Sequence, residues 1–247
     1  MRAAEADTSL WDTYHYKTIS KIHKKWADNG VYMGAYNELV MSNNLTKNDS
    51  GTIVLLVDST LIINKSGIEM IGYGTQCKKK KYTKISLMSN LDGKNVAVGV
   101  DNVKDKVIKD FNGDDKKIKT LNLRSRGHDV KGVEPLIKDI RKTNKNDPIE
   151  VYGDKGYVIG VEDKNRIKKM FNSKVIYTKR SNPTGKGQKT KNTKKEKNVL
   201  KFRYRVEIMI SKIKVYNRIH IRRDKSINSY LGFVHLGLIL KFGYKKD

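Results

Sequence analysis

The chain has 247 residues, with 52 lysines and arginines against 26 aspartates and glutamates, and a formal net charge of +26. Its 37% apolar content supports a folded core, and its single cysteine, Cys77, excludes an internal disulfide framework and a cysteine-built zinc site. The longest apolar run, Tyr230 to Leu240, falls short of the ~18 residues of a membrane span, and Glu5, Asp7 and Asp12 interrupt any signal-peptide pattern, so an intracellular, reducing location is expected.

Trp11, Tyr14, Ile19, Ile22 and Trp26 recur at helical spacings, Asp28-Asn29-Gly30 breaks the pattern, and a second apolar run passes through Tyr36 and Leu39. Residues 1–48 are expected to form a partial helical segment. It resembles part of a small helix-turn-helix DNA-binding unit, and a plain helical cap on the next domain is the other reading. Asn43 to Gly51 is polar and reads as a linker, leaving 49–247 as the second unit. There Ile53 to Val57 is a continuous β-branched-rich run that predicts a strand buried on both faces and closed by Asp58. Further strands are expected at Ile68 to Gly74, Lys81 to Met88 and Asn95 to Val100, with Asp92-Gly93 as a hairpin turn.

Helical and strand patterns then alternate. Val133 to Arg141 predicts a helix with Leu136, Ile137 and Ile140 on one face, and Ile149 to Gly153 a strand ending at Asp154. Val161 to Phe171 predicts a helix and Lys174 to Tyr177 a short strand. Lys179 to Asn198 has no core residues and reads as a flexible basic loop. Its Gly185-Lys186-Gly187 lacks the glycine spacing of a P-loop. A long helix is expected from about Val199 to Val215, and a last apolar one from about Ser226 to Lys241.

The charge excess nominates a polyanionic partner, with nucleic acid first. Lysines outnumber arginines 41 to 11, so part of the excess also fits a drift towards AT-rich codons. The acids are more informative. Asp58 and Asp154 each stand at the end of an expected strand, held by rigid backbone yet open to solvent. Mg²⁺ prefers carboxylate oxygens, and a third acid would allow two ions roughly 3.5–4 Å apart to serve an in-line phosphoryl displacement. Taken alone, each Asp is more often a strand terminator or a helix cap. In the long helix, Val206, Met209, Ile210 and Ile213 form an apolar stripe, and Arg203, Glu207 and Lys214 lie beside it. Packed on a sheet by that stripe, the helix would aim Glu207 towards the strand ends. A surface ion pair between Arg203 and Glu207 is the bland alternative.

Several segments carry a family resemblance. Val57-Asp58-Ser59-Thr60 resembles the first-Asp strand of DDE transposases from insertion sequences of the four/five type. Lys84-Ile85 and Leu91-Asp92-Gly93-Lys94 resemble the strand and hairpin that follow there. Arg126-Gly127-His128-Asp129 and Glu134-Pro135-Leu136 are similar to the family's His-Asp segment. Tyr152-Gly153-Asp154-Lys155-Gly156-Tyr157 is similar to its second-Asp motif, and Arg203-x3-Glu207-x6-Lys214 to most of its C-terminal signature. Asn217-Arg218-Ile219, Arg222 and Ser229 to Leu236 resemble its terminal helices. The motifs follow in order from about Ile53 to Leu240.

The resemblance implies an α/β, RNase H-like mixed sheet flanked by helices, and metal-dependent DNA strand cleavage and strand transfer. It assigns Asp58, Asp154 and Glu207 as the catalytic triad and as ligands of two Mg²⁺ ions, with Mn²⁺ as a substitute. It places Arg203, Lys214 and Lys155 against DNA phosphate. The lysines of Lys78 to Lys81 and Lys186 to Lys197 would add nonspecific backbone contacts. The implied partner is double-stranded DNA, both transposon ends and target, bound by a homodimer, and the implied location is intracellular and DNA-associated. His128 with Asp129 is read as a helix start, with support of the metal ligands as the other reading, and His235 as a core residue. Two features depart from the family. Leu200 stands where its signature has Tyr, and the chain starts almost inside the segment that matches Thr13 to Tyr32. A truncated, decayed or repurposed copy is one reading of these departures. A non-catalytic DNA-binding remnant or regulator is the alternative function, and a nuclease or RNase H of the same fold a third.

Overall fold

The computed structural model describes residues 15–73, 81–100, 104–109, 115–120, 128–179 and 192–243. The N-terminal helices are α1 (Tyr16–Asp28) and α2 (Val31–Tyr36), the latter running into a π-helical turn at Asn37–Ser42. Between them Gly30 has φ +73°, the left-handed conformation that glycine adopts without steric cost. The strands β1 (Ile53–Asn64), β2 (Gly72–Tyr73), β3 (Lys81–Ser89), β4 (Asn95–Val100), β5 (Lys104–Lys109) and β6 (Asp115–Thr120) follow. Next come α3 (His128–Thr143), β7 (Ile149–Gly153), α4 (Val161–Phe171), β8 (Ser173–Tyr177), α5 (Lys194–Leu200) and α6 (Tyr204–Lys214). The chain ends on α7 (Asn217–His220), β9 (Ile221–Arg222) and α8 (Ile227–Phe242). Among the described residues no helix is long and apolar enough to cross a membrane.

β1 is the central strand. It runs antiparallel to β3 from Leu56↔Ser89 to Ile63↔Tyr82, and β3 in turn pairs with β4 through the Asp92-Gly93 hairpin. On its other side β1 runs parallel to β7 from Ile53↔Ile149 to Leu56↔Tyr152, and β7 runs parallel to β8. An antiparallel meander on one side of the first strand, and helix-linked parallel strands on the other, is the RNase H-like arrangement that was expected.

Alternation along the strands sorts their side chains onto two faces. Val54, Leu56, Tyr152 and Ile176 join one core with Val206, Met209, Ile210 and Ile213 of α6, Val234 and Leu238 of α8, and Tyr36, Val40 and Met41. Ile53, Leu55, Val57, Val151 and Val175 join the other with Val133, Leu136, Ile137 and Ile140 of α3 and Ile167 of α4. The stripes read from helical spacing are thus the faces that pack. α1 and α2 lie against α8, so the N-terminal helices share the first core with the sheet.

The structure departs from the sequence reading in six places. Asp58 does not close a strand, because pairing with β3 carries β1 on to Asn64. Only the parallel pairing with β7 stops, at Leu56. Among the described residues the strand expected at Ile68 to Gly74 is confined to Gly72–Tyr73, Gly74 lying outside them; before it the Glu69 carbonyl accepts from Arg222 instead of from a neighbouring strand. The long helix is interrupted by a 3-10 turn at Lys201–Arg203. The basic tract turns helical at Lys194, where Thr193 and Glu196 form a reciprocal capping box; residues 180–191 lie outside the described residues. The polar stretch after Ser42 is anchored. Asn44 is buried, its Nδ2 donating to the Asn95 carbonyl at 3.0 Å and its own carbonyl accepting from Asn90 Nδ2 at 3.1 Å. The β5–β6 ribbon was not anticipated at all.

Candidate active site

The parallel pairing of β1 with β7 ends at Leu56 and Tyr152, while β1 continues against β3 to Asn64. The ground beyond the carboxyl end of β7 is of the kind where ligands bind in open α/β sheets. Asp58 lies two residues past the last β1–β7 pair and, by alternation, on the same face as Val54 and Leu56. That is the face α6 covers. Its Oδ1 accepts from the Ser59 amide at 2.8 Å. Asp154 follows β7 directly and caps the 3-10 turn Lys155–Tyr157, its Oδ1 accepting from the Gly156 amide at 2.6 Å. Gly153 makes this turn possible. A Cβ there would stand 2.6 Å from ring atoms of the buried Tyr157. Gly153→Ala is expected to cost about 1–3 kcal/mol, the usual penalty of overpacking, and to displace Asp154. Urea unfolding would read the first effect and loss of any Asp154-dependent activity the second.

Glu207 sits in the first turn of α6 and is half exposed. Arg203, at the end of the preceding 3-10 turn, joins it to the strand ends. Nη2 donates to Glu207 Oε1 at 2.5 Å, and Nη1 lies 3.4 Å from Asp154 Oδ2. Asp58 belongs to the same cluster electrostatically. Burial pushes its carboxyl above the ordinary carboxylate range, the Ser59 amide and the Arg203 charge oppose that rise, and the charges of Asp154 and Glu207 add to it. Three acids from three elements therefore share one region, with one guanidinium among them. Lys214, at the far end of α6, donates from Nζ to Thr60 Oγ1. Thr60 is two residues beyond Asp58 on the same strand face, so Lys214 also borders this ground. Lys155 is exposed beside Asp154. Arg205 ties the start of α6 to the β3–β4 hairpin through the Leu91 carbonyl and lies over the Phe202 ring.

All six residues named from the motifs are within the described part of the chain, and the site is assembled from them. The sequence reading missed Thr60 as the partner of Lys214; the two-residue step from Asp58 puts it on the same strand face, but nothing local to the sequence pairs it with Lys214. Leu200, in the place of the signature's Tyr, packs partly buried against the first core and offers no hydroxyl. The side chains of His128 and Asp129 and the residues 78–80 lie outside the described residues. His235 is buried, with its ring 5.0 Å from that of Tyr36, and burial pushes it down to about 4, which suits a neutral core residue.

Carboxylate oxygens are the ligands Mg²⁺ prefers, so the donor chemistry of Asp58, Asp154 and Glu207 fits such an ion. Their spacing is wider than a shared coordination shell. Among the described residues no three acidic, His or Cys groups are gathered closely enough to hold one ion together.

A mixed sheet with one acid on its central strand past the last parallel pair, a second directly after the neighbouring parallel strand and a third on the helix that covers them is the class of molecule the fold and site define. No protein-family model matches the chain. No curated protein matches it. A solved structure with a likeness to it is a piggyBac transposase synaptic complex with hairpin DNA, determined by cryo-EM. The TM-score is 0.39 and the identity 10%, over 82% of this chain and 50% of that one. The chain thus spans about half the length of that transposase.

Proposed function

We propose that the chain is a DNA transposase that catalyses metal-dependent strand cleavage and strand transfer for an insertion sequence. The observation that carries this reading is the convergence of Asp58, Asp154 and Glu207 from β1, the turn after β7 and α6, with Arg203 and Lys214 at the margin. The ordered motifs of the DDE family support it. Asp58, Asp154 and Glu207 would hold two Mg²⁺ ions, with Mn²⁺ as a substitute. Such ions, when bound, supply Lewis-acid charge at the scissile phosphate and lower the pKa of the attacking hydroxyl.

The chain's own residues do the rest. The Ser59 and Gly156 amides fix one oxygen each of Asp58 and Asp154, so these carboxylates need little reorganisation. Arg203, Lys214 and Lys155 contact phosphate oxygens and hold the strand in line. Residues 1–48 serve as a DNA-binding segment, with Lys17, Lys21, Lys24 and Lys25 exposed on α1, and 49–247 as the catalytic domain. Two copies act together on transposon ends and target, within the cell and on its DNA.

A second reading is a non-catalytic DNA-binding remnant or regulator derived from a transposase. One observation favours it: Arg203 already neutralises two of the three acids. The test is incubation of the chain with Mg²⁺ or Mn²⁺ and duplexes that carry the element's own ends. End cleavage is the expected result. Tight, steeply salt-dependent binding that is indifferent to metal and yields no cleavage would support the second reading instead.

A further inference from the structure

The acids of the site face a cation that the chain supplies itself. The two terminal nitrogens of Arg203 go to different acids, Nη1 to Asp154 and Nη2 to Glu207. The Glu207 pair alone could be an ordinary contact between neighbouring turns of one helix. The Asp154 pair is different in kind, because it reaches from the entry of α6 to the end of β7.

We infer that Arg203 is an internal counter-ion that keeps divalent metal out of the site until a DNA phosphate draws its guanidinium away, so that DNA and metal bind cooperatively. The inference rests on the reading of Asp58, Asp154 and Glu207 as metal ligands. The oxygens that Arg203 engages are those a divalent ion would need. A guanidinium is also a geometric match for phosphate oxygens, which it grips in the same forked manner as a carboxylate. Arg203 keeps 27% of its side chain exposed, and it stands on a single 3-10 turn at the rim, so an incoming backbone can reach it. Once it turns to phosphate, three carboxylates share the site without their cation, and a divalent ion relieves the repulsion. By reciprocity the metal must then tighten DNA binding by the same factor.

The experiment is Mn²⁺ binding, followed by the electron paramagnetic resonance of the free ion, on the full chain with and without a duplex and on Arg203→Gln without DNA. In the native chain the duplex is expected to tighten Mn²⁺ by a factor within the range of about 5- to 150-fold that site couplings commonly show. DNA-free Arg203→Gln is expected to bind Mn²⁺ more tightly than the DNA-free native chain, and Asp58→Asn to lose the tightened site. The comparison on the native chain decides the matter even if Arg203→Gln does not fold. Equal Mn²⁺ affinity with and without DNA, in a chain that still cleaves, overturns this inference alone. No Mn²⁺ binding in any form overturns it together with the metal-dependent function.

Discussion

Asp58→Asn is expected to abolish metal-dependent strand cleavage while leaving the metal-free fold at least as stable as the native one. The two effects share a cause. Asp58 lies on the buried face of the central strand, and both that burial and the charges of Asp154 and Glu207 raise its carboxyl above the unperturbed 3.8. A carboxyl whose folded pKa is raised binds its proton more tightly in the folded state. Stability therefore falls as pH rises from 3.8 through the raised folded value, and the loss is complete above it. At neutral pH the ionised Asp58 is a liability to the metal-free fold, and Asn removes the charge at nearly constant volume. Thermal melts without divalent metal should show the variant's advantage at neutral pH and little of it below the ordinary carboxylate range. Activity should move the other way. Removing a direct ligand should cost more than the about 10- to 100-fold typical of groups that only support ligands. A variant less stable than the native chain at neutral pH, with cleavage retained, would remove Asp58 from the proposed centre. Loss of stability and activity together would point to a structural role.

Arg222→Ala is expected to be the most damaging single change outside the site. Arg222 has no exposed surface, yet all its donor nitrogens have partners. Nε donates to the Asp224 carbonyl at 3.1 Å. Nη1 donates to the Glu69 carbonyl at 2.7 Å and to Thr83 Oγ1 at 2.9 Å. Nη2 donates to the Lys225 carbonyl at 3.0 Å. The guanidinium thereby fastens the segment after β1 and the loop before α8 to the edge of β3, with the Tyr230 ring beneath it. The fit is close, since a Cβ on Gly67 would stand 2.5 Å from its Cζ. Truncation leaves the Asp224 and Glu69 carbonyls without that donor, while Thr83 Oγ1 keeps Asn64 Nδ2 and the Lys225 carbonyl keeps the Ile68 amide; at about 1–3 kcal/mol for each orphaned group, with the vacated volume of a fully buried side chain added, the total should exceed about 3 kcal/mol. Arg222→Lys should recover only part of this, because an ammonium cannot reproduce the planar fork. Urea unfolding midpoints of the three proteins give the comparison. A loss under ~1 kcal/mol for the Ala variant, within the range of one net hydrogen bond, would mean that water replaces the guanidinium.

Most of the secondary structure was legible because its signals are local. Asn95 to Val100 read correctly as a strand, and the helix expected from Ser226 begins at that residue as its cap. Apolar spacing alone identified Val206, Met209, Ile210 and Ile213 as a packed stripe, and all four are buried. The motifs nominated six residues, and the structure brings Asp58, Asp154, Glu207, Arg203 and Lys214 to one region with Lys155 beside Asp154. The failures have one origin. Ile68 to Gly74 has the composition of a strand, but Ile68 is exposed and the backbone there satisfies Arg222 instead of a ladder. Asp58 resembled a strand terminus, but β3 pairs with β1 beyond it.

By itself, then, the amino-acid sequence determined the alternation of strands and helices, the faces that bury, the excess of positive charge and the identity of the acids worth watching. Only the tertiary structure decided that Asp58 lies in mid-strand where β7 leaves it, that Arg203 spans Asp154 and Glu207, and that Arg222 is a buried clamp. The physical reason is one of range. Periodicity and capping are settled within a few residues, whereas burial, charge environment and hydrogen-bond partners depend on what distant parts of the chain bring to the same place.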